Sequence, residues 1–320
     1  MEKHLELTVK TAGANYQNYL IGVQSVVIDP IDRLWILDTG RVYTQDGKTL
    51  VQSTFGGPKL ISINLSNNSI IQTILFPPTV AYPDSYLNDV RFDLYAPITD
   101  SGKGVAYITD SSSEGRNGLI VVDLGTGESW RHVSATQAVR PDAGFVGFVN
   151  GQSVYYHDAT TGGTTYFPIG SDGIALSVNG ENLFFCPLSS RRLYSIPTAL
   201  LRNRNSSSEL RSQQGVVYHG EKGFSDGFET DSNGLIYMGN FEQNAVVAFN
   251  PYNGTVNTFV RDPRINWVDT LSVSTDGYLY FTSNQLHLSA GSYPGTDRRV
   301  QPYALFKAKL PNGGKKLILT

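Results

Sequence analysis

Apolar and polar residues alternate along this chain in short runs broken by Gly, Asn, Asp and Pro. Period-two alternation closed by turn residues reads as β-strands joined by tight hairpins. Five such runs align without gaps, at residues 23–29, 87–93, 171–177, 225–231 and 268–274. Each is followed by a second run, at residues 34–38, 106–110, 183–187, 236–240 and 279–283. The polar residue at the second place of the first run (Gln24, Asn88, Asp172, Asp226, Asp269) and the residue closing the second run stand 14, 22, 15, 14 and 14 positions apart. A nearly constant spacing inside a unit that recurs every ~40–85 residues is the signature of a radial β-repeat array.

The clearest unit runs from residue 227 to 260, with turns at 231–234 and 250–254 that contain Asn-Gly steps. It predicts strand, turn, strand, loop, strand, turn, strand, which is one blade of a propeller. The expected fold is therefore all-β: a β-propeller of four-stranded antiparallel blades forming a single domain over residues 1–320. Five units are countable; six blades are favoured, the sixth drawn from the termini and an insert, and a five-bladed barrel is the alternative. A sandwich and an open solenoid are the runners-up; a sandwich would not need the repeated spacing. Two segments break the beat. Residues 137–170 form a Gly- and aromatic-rich insert, read as extra strands at a blade edge or as a wall over a binding face. Residues 198–214 read as a short helix and loop.

Composition narrows the function classes. The chain has 320 residues, 40% hydrophobic and 17% charged, with 32 Gly, 15 Pro and a net charge of -3. No Lys/Arg block marks a nucleic-acid partner, and no apolar window is long enough to span a membrane. Cys186 is the only cysteine, so no intrachain disulfide can form. Its apolar surroundings read as an inert core thiol, not a nucleophile. Sequons at Asn64, Asn67, Asn205 and Asn253 lean towards secretion, although the first six residues carry no signal-peptide stretch. Oligomeric state is not legible.

The repeat also places the chemistry. In a blade the inner strand lines the channel and the second strand runs back antiparallel. The start of one and the end of the other therefore share one end of the barrel. That puts Gln24, Asn88, Asp172, Asp226 and Asp269 in an axial ring, with Asp38, Asp110, Asn240 and Ser283 just outside it. Such a ring either closes the barrel by hydrogen bonds or lines a ligand pocket. Its oxygen ligands suit Ca²⁺ or Mg²⁺, but its amides fit a plain hydrogen-bonded ring equally, so no cofactor or metal ligand is assigned. Arg91 and Glu229 share an offset in their units and suggest a pair within the channel. The five histidines show no zinc spacing, and no nucleophile elbow or phosphate loop is present.

Several phrases resemble the major royal jelly protein and yellow family. The most specific are Asn88-Asp89-Val90-Arg91 with the follower Thr109-Asp110-Ser111, Asp172-Gly173-Ile174, Trp267-Val268-Asp269-Thr270 and Ser283-Asn284. The resemblance runs in order from about residue 23 to 310 and implies a six-bladed propeller. The family's usual N-terminal blade has no counterpart before residue 20. The resemblance implies no single function: royal jelly proteins look nutritive, salivary relatives bind small amines, yellow proteins are linked to pigment chemistry, and fungal relatives include pericyclase-like enzymes.

Together these readings favour a small-molecule enzyme or binder in specialised metabolism. The expected ligand is an apolar oxygenated compound, and the expected reaction is a dehydration, isomerisation or cycloaddition of Diels–Alder type. Asn88, Arg91, Asp226 and His287 are the candidate catalytic groups. Gln24, Asp38, Tyr86, Asp110, Ser111, Asp172, Asn240, Phe241, Trp267, Asp269, Ser283 and Asn284 are the candidate ligand-binding groups. A metal-dependent lactonase and a secreted, catalytically silent carrier are the alternatives.

Overall fold

The computed structural model describes residues 16–44, 50–159 and 161–320. The N-terminal segment with His4 lies outside them. The alternating runs form antiparallel sheets arranged blade after blade. Blade 1 comprises Val23–Ile28, Arg33–Thr39, Pro58–Asn64 and Ser69–Leu75, and blade 2 Leu87–Asp93, Val105–Asp110, Gly118–Asp123 and Ser129–His132. Blade 3 comprises Ser171–Leu176, Asn182–Pro187, Arg192–Pro197 and Val217–Glu221. Blade 4 comprises Phe228–Thr230, Ile236–Asn240, Ala245–Asn250 and Thr255–Arg261, and blade 5 Val268–Val273, Tyr278–Ser283 and Ala304–Lys309. Blade 5 has three strands among the described residues and the others four.

Blades 2, 3 and 4 have a neighbour on both faces, so their central strands are largely apolar. The second and third strands of blade 2, Val105–Asp110 and Gly118–Asp123, are buried at every position. Separate apolar clusters fill the interfaces. Trp35, Leu60, Val90, Ile108 and Ile120 join blades 1 and 2. Tyr107, Val121, Ile174 and Phe185 join blades 2 and 3, and Phe184, Phe228, Met238 and Phe249 join blades 3 and 4.

Among the described residues the propeller has five blades, one for each countable repeat unit, and no sixth. The insert forms two short hairpins instead, Gly147–Val149 with Gln152–Val154 and Tyr156–His157 with Thr164–Thr165. Its Phe145 and Phe167 pack on Phe224 and Trp267, capping blades 4 and 5. The C-terminal segment adds no blade either. It crosses the opposite end of the barrel, bridging Asp231 at Lys316 and accepting the Leu94 amide at the Leu319 carbonyl, 3.0 Å away. Residues 198–214 form two helices, Thr198–Arg202 and Ser208–Gln214.

Inner strands of blades 1 and 2, 2 and 3, 3 and 4, and 4 and 5 touch in succession. Among the described residues no comparable contact joins blade 5 back to blade 1; their inner strands form opposite walls of a cleft. The blade 1 wall therefore exposes apolar groups, with Val26 at 60% and Ile28 at 46%. Truncating a side chain costs stability only where it was buried, which separates the two kinds of interface. Ile120→Ala, between blades, should lose about 2–5 kcal/mol, whereas Ile28→Ala on the open wall should stay within about 0.5 kcal/mol. Urea unfolding of both variants checks this, and equal losses would mean that blade 1 is covered.

Candidate functional site

The inner strands do not enter the channel as regular strands. Register shifts interrupt the pairing between Val23 and Ser25, Leu87 and Val90, Ser171 and Ile174, and Val268 and Leu271. A bulge re-aims the residues it contains, and these bulges hold Gln24, Asn88, Asp89, Asp172 and Asp269. Two glycines bring neighbouring blades together at the same level. A Cβ on Gly173 would lie 2.3 Å from the Asp226 carbonyl oxygen, and one on Gly227 2.2 Å from that of Asp269. Only glycine permits an approach this close.

The expected inner ring is formed, hand to hand. The Tyr86 hydroxyl donates to Gln24 Oε1 at 2.9 Å, and Gln24 Nε2 donates to Asn88 Oδ1 at 3.1 Å. Asn88 Nδ2 donates to Asp172 Oδ2 at 2.8 Å and to Ser111 Oγ at 3.0 Å. Asp226 hydrogen-bonds Asp172 and accepts the Trp267 indole N–H at 2.8 Å. Asp269 accepts from Asn284 Nδ2 at 2.6 Å.

Burial holds Asp172, Asp226 and Asp269 well above the ordinary carboxylate range, and repulsion between Asp226 and its two neighbours adds to it. Asp172 and Asp226 hydrogen-bond each other, which two carboxyls can do only by sharing a proton. Tyr86 is pushed up to about 12 by burial and remains a donor.

This ring tops a cavity of about 650 Å³ that follows the channel and opens into the cleft between blades 1 and 5. Its walls mix Val26 and Ile28 with Thr270 and Ser272, and Asn88, Asp172 and Asp269 line it directly. Deeper in, Arg91 pairs with Asp89 at 2.9 Å and donates to the Phe228 carbonyl. Glu229, the partner expected from sequence, stands at 4.0 Å. Arg91 Nε has no partner. Asp89, which the repeat alignment passed over, also accepts from Ser25 Oγ at 3.1 Å.

The outer ring has a different job from the one expected. Asp38 is fully buried against Lys59 at 3.0 Å and accepts the amides of Ile21, Gly22 and Gly40. Asp110 repeats the arrangement with Arg131 at 2.8 Å, Ser85 Oγ and the Tyr86 amide. Both clasp the loop that leads into an inner strand, and neither can reach a ligand. Ser283 donates to Asn266, Asn240 lies behind Gly223, and Phe241 and Trp267 stack at 4.3 Å inside the core. Asp226 itself meets the cavity only through Asp172. His287 stacks behind Trp267, centroids 5.9 Å apart, outside the cavity. Burial and Arg298 push it down to about 4, so at neutral pH it is a neutral imidazole and not an acid.

Nor does the ring suit a resident Ca²⁺ or Mg²⁺. Its carboxyls are taken up by amide and indole donors and by a shared proton. Among the described residues no three His, Cys, Asp or Glu side chains are grouped to hold a metal. Cys186 is fully buried, which pushes its thiol up.

The family model for major royal jelly protein matches residues 21–310. The chain belongs to that family. It is 24% identical over 249 residues to Major royal jelly protein 5 of Apis mellifera, covering 75% of this chain and 36% of that protein. It is 29% identical over 201 residues to Protein yellow of Drosophila madeirensis, covering 62% of this chain and 32% of that protein. The chain thus spans about a third of the length of these relatives. Among solved structures, a luciferin-regenerating enzyme superposes with a TM-score of 0.53 at 13% identity, covering 93% of this chain and 94% of that one. A calcium-binding protein, regucalcin, from Agrobacterium tumefaciens superposes with 0.51 at 13% identity, covering 93% and 92%. Both likenesses support the propeller fold. No helix among the described residues is long and apolar enough to cross a membrane.

The two rings respond differently to truncation. Asp38→Ala leaves Lys59 buried without its partner and should cost about 3–5 kcal/mol. Asn88→Ala, in the solvated inner ring, should cost about 1 kcal/mol. Thermal and urea unfolding compare them, and a larger loss at Asn88 would reverse the assignment.

Proposed function

We propose that this member of the family binds, and chemically transforms, an apolar oxygenated small molecule in the channel beneath the inner ring. The observation that carries the reading is a set of buried carboxyls whose acid forms desolvation favours, opening on a cavity with an apolar wall. A carboxylic acid can donate to a carbonyl or hydroxyl oxygen, which a carboxylate cannot. Asp269 lines the cavity with one oxygen held by Asn284 and would be that donor. Asn88 and Arg91 would orient the rest of the ligand. Donation to a carbonyl draws electron density from a conjugated system, which favours dehydration, isomerisation or cycloaddition without a covalent enzyme intermediate.

A second reading rests on charge. The cavity is lined by Asp29, Asp32, Asp89, Asp172, Asp269 and Glu229 against Arg91 and Lys316. Such a wall suits a cationic amine, which would ionise the ring instead of using its proton.

The two readings have opposite pH signs. Acid forms are lost as pH rises through the raised carboxyl pKa values, so a neutral ligand should bind more weakly at high pH. A cation, which prefers carboxylates, should bind more tightly as pH rises until it loses its own proton. Thermal-shift screening of neutral polyketides and terpenoids beside aromatic amines, followed by calorimetry across pH, separates them. For a neutral ligand, Asp269→Ala should weaken binding about 10–100-fold, and Asp269→Asn, which keeps a donor, less. Affinity indifferent to Asp269 and Asn88 would sink the site.

A further inference from the structure

The third and fourth strands of blades 1, 2 and 4 are joined by turns of one design. In blade 1 the turn leads from Asn64 to Ser69 and in blade 4 from Asn250 to Thr255, each a paired couple of strand residues. In blade 2 it leads from Asp123 to Glu128. Each turn has a residue of positive φ just before its last member: Asn68 at 57°, Gly127 at 75° and Gly254 at 71°. The residue before that one lends a side-chain oxygen to the backbone amide two places on. Asn67 Oδ1 accepts from Ser69 at 3.0 Å, Thr126 Oγ1 from Glu128 at 3.1 Å, and Asn253 Oδ1 from Thr255 at 3.1 Å.

The turn therefore needs an oxygen acceptor at this place, and blade 2 supplies it with a threonine followed two places on by a glutamate. Blades 1 and 4 carry something the turn does not require. Their phrases are Asn67-Asn68-Ser69 and Asn253-Gly254-Thr255, the acceptor pattern for N-linked glycosylation. In both, the hydroxyl bonds the oxygen that the amide already uses: Ser69 Oγ donates to Asn67 Oδ1 at 2.8 Å, and Thr255 Oγ1 to Asn253 Oδ1 at 2.8 Å. Each asparagine carbonyl is thus engaged twice within its own turn. Each amide nitrogen has no partner among the described residues, and both asparagines are exposed.

Blade topology fixes where these sites stand. The first strand leaves the ring end of the barrel, the second returns to it and the third leaves again. The turn after the third strand is then at the far end, on the outer side of its blade. A bulky glycan there covers neither the inner ring nor the channel walls. Tyr252, next to Asn253, is 73% exposed, the most of any large hydrophobic side chain among the described residues. Its ring offers a first sugar an apolar face to lie against.

We propose that Asn67 and Asn253 are N-glycosylation sites, taking an oligosaccharide from a lipid-linked diphosphate donor. In that transfer the asparagine Nδ2 bonds to C1 of the first sugar. The bond from C1 to the diphosphate oxygen breaks, the diphosphate leaves on its lipid with the electron pair, and one amide proton passes to a base of the transferase. The other two sequons stay bare. Asn64 makes the same bonds to Ser66, but it is half-buried at its strand end and three residues from Asn67, where two glycans would collide. At Asn205 no bond among the described residues joins Ser207 Oγ to the asparagine carbonyl; the Asn205 backbone amide donates to Asn203 Oδ1 at 2.9 Å. None of this involves a ligand in the channel, so the small-molecule reading can fail while this one stands.

Protein isolated from the cells that make it is treated with peptide-N-glycosidase in H₂¹⁸O, which turns each glycosylated asparagine into an ¹⁸O-marked aspartate, and is mapped by tandem mass spectrometry. Marks at Asn67 and Asn253 are expected. A bare Asn67 or Asn253 would overturn the assignment at that site, and marks at Asn64 or Asn205 in their place would overturn the turn geometry as its basis. Ser69→Ala and Thr255→Ala, made in the same cells, keep the asparagine acceptor and should each remove one glycan from the intact mass, the double variant both. Thr255→Glu, which copies the blade 2 turn, should fold as the parent does and lose its glycan, whereas a retained glycan would refute the site.

Discussion

The site depends on one constraint: successive blades approach to backbone contact where their inner strands begin. Gly173 and Gly227 have no room for a side chain because the Asp226 and Asp269 carbonyls occupy it. With the bulges at the same level, this closeness leaves three aspartates with little water and with each other as neighbours. Carboxyls so placed cannot all ionise, because desolvation and mutual repulsion both favour the acid form. The proton-holding character of the ring is therefore a product of blade packing. A side chain at either glycine would push the blades apart and return the aspartates towards ordinary behaviour.

The same residue type does opposite work a few ångströms further out. Asp38 and Asp110 are as buried as the inner aspartates, but each meets a buried cation and several backbone amides. Their charge is compensated by fixed partners, which makes them clasps between a strand end and the loop entering the inner strand of the same blade. A buried carboxylate saturated in this way is structural. One whose neighbours are other carboxyls has unspent capacity to donate or accept, and that difference separates the two rings in function.

Much of this was legible in the sequence, and the limits have physical causes. The aligned Asn88, Asp172, Asp226 and Asp269 positions predicted an axial ring because inner strands of like register must begin at one level. The hairpin at residues 245–260 was readable from its Asn-Gly turn, and it forms as Ala245–Asn250 and Thr255–Arg261. What spacing cannot show is which carboxylate meets a cation from elsewhere in the chain. Lys59 and Arg131 come from strands outside the paired phrases, so the outer ring looked like a ligand shell. Asp89 was missed because the bulge turns two consecutive residues towards the channel, where strict alternation allows one. His287 looked available because it follows a strand end near the ring, but stacking on Trp267 takes it behind the wall.

The cleft between blades 1 and 5 sets what the cavity can recognise. A propeller closed all round admits a ligand only along its axis, whereas here the channel also opens sideways, between Val26 and Ile28 on one wall and Thr270 and Ser272 on the other. On the proposed function, such a slot would admit a flat molecule with one apolar face and one oxygenated face, its leading edge towards Asp269 and Asn88. Apolar contact with the wall supplies affinity with little direction, roughly 25 cal/mol for each Å² covered. The acids at the axis supply direction with little area. Selectivity therefore rests on the few ring groups whose protonation the blade junctions control, while the open wall tolerates variation in the ligand's apolar body.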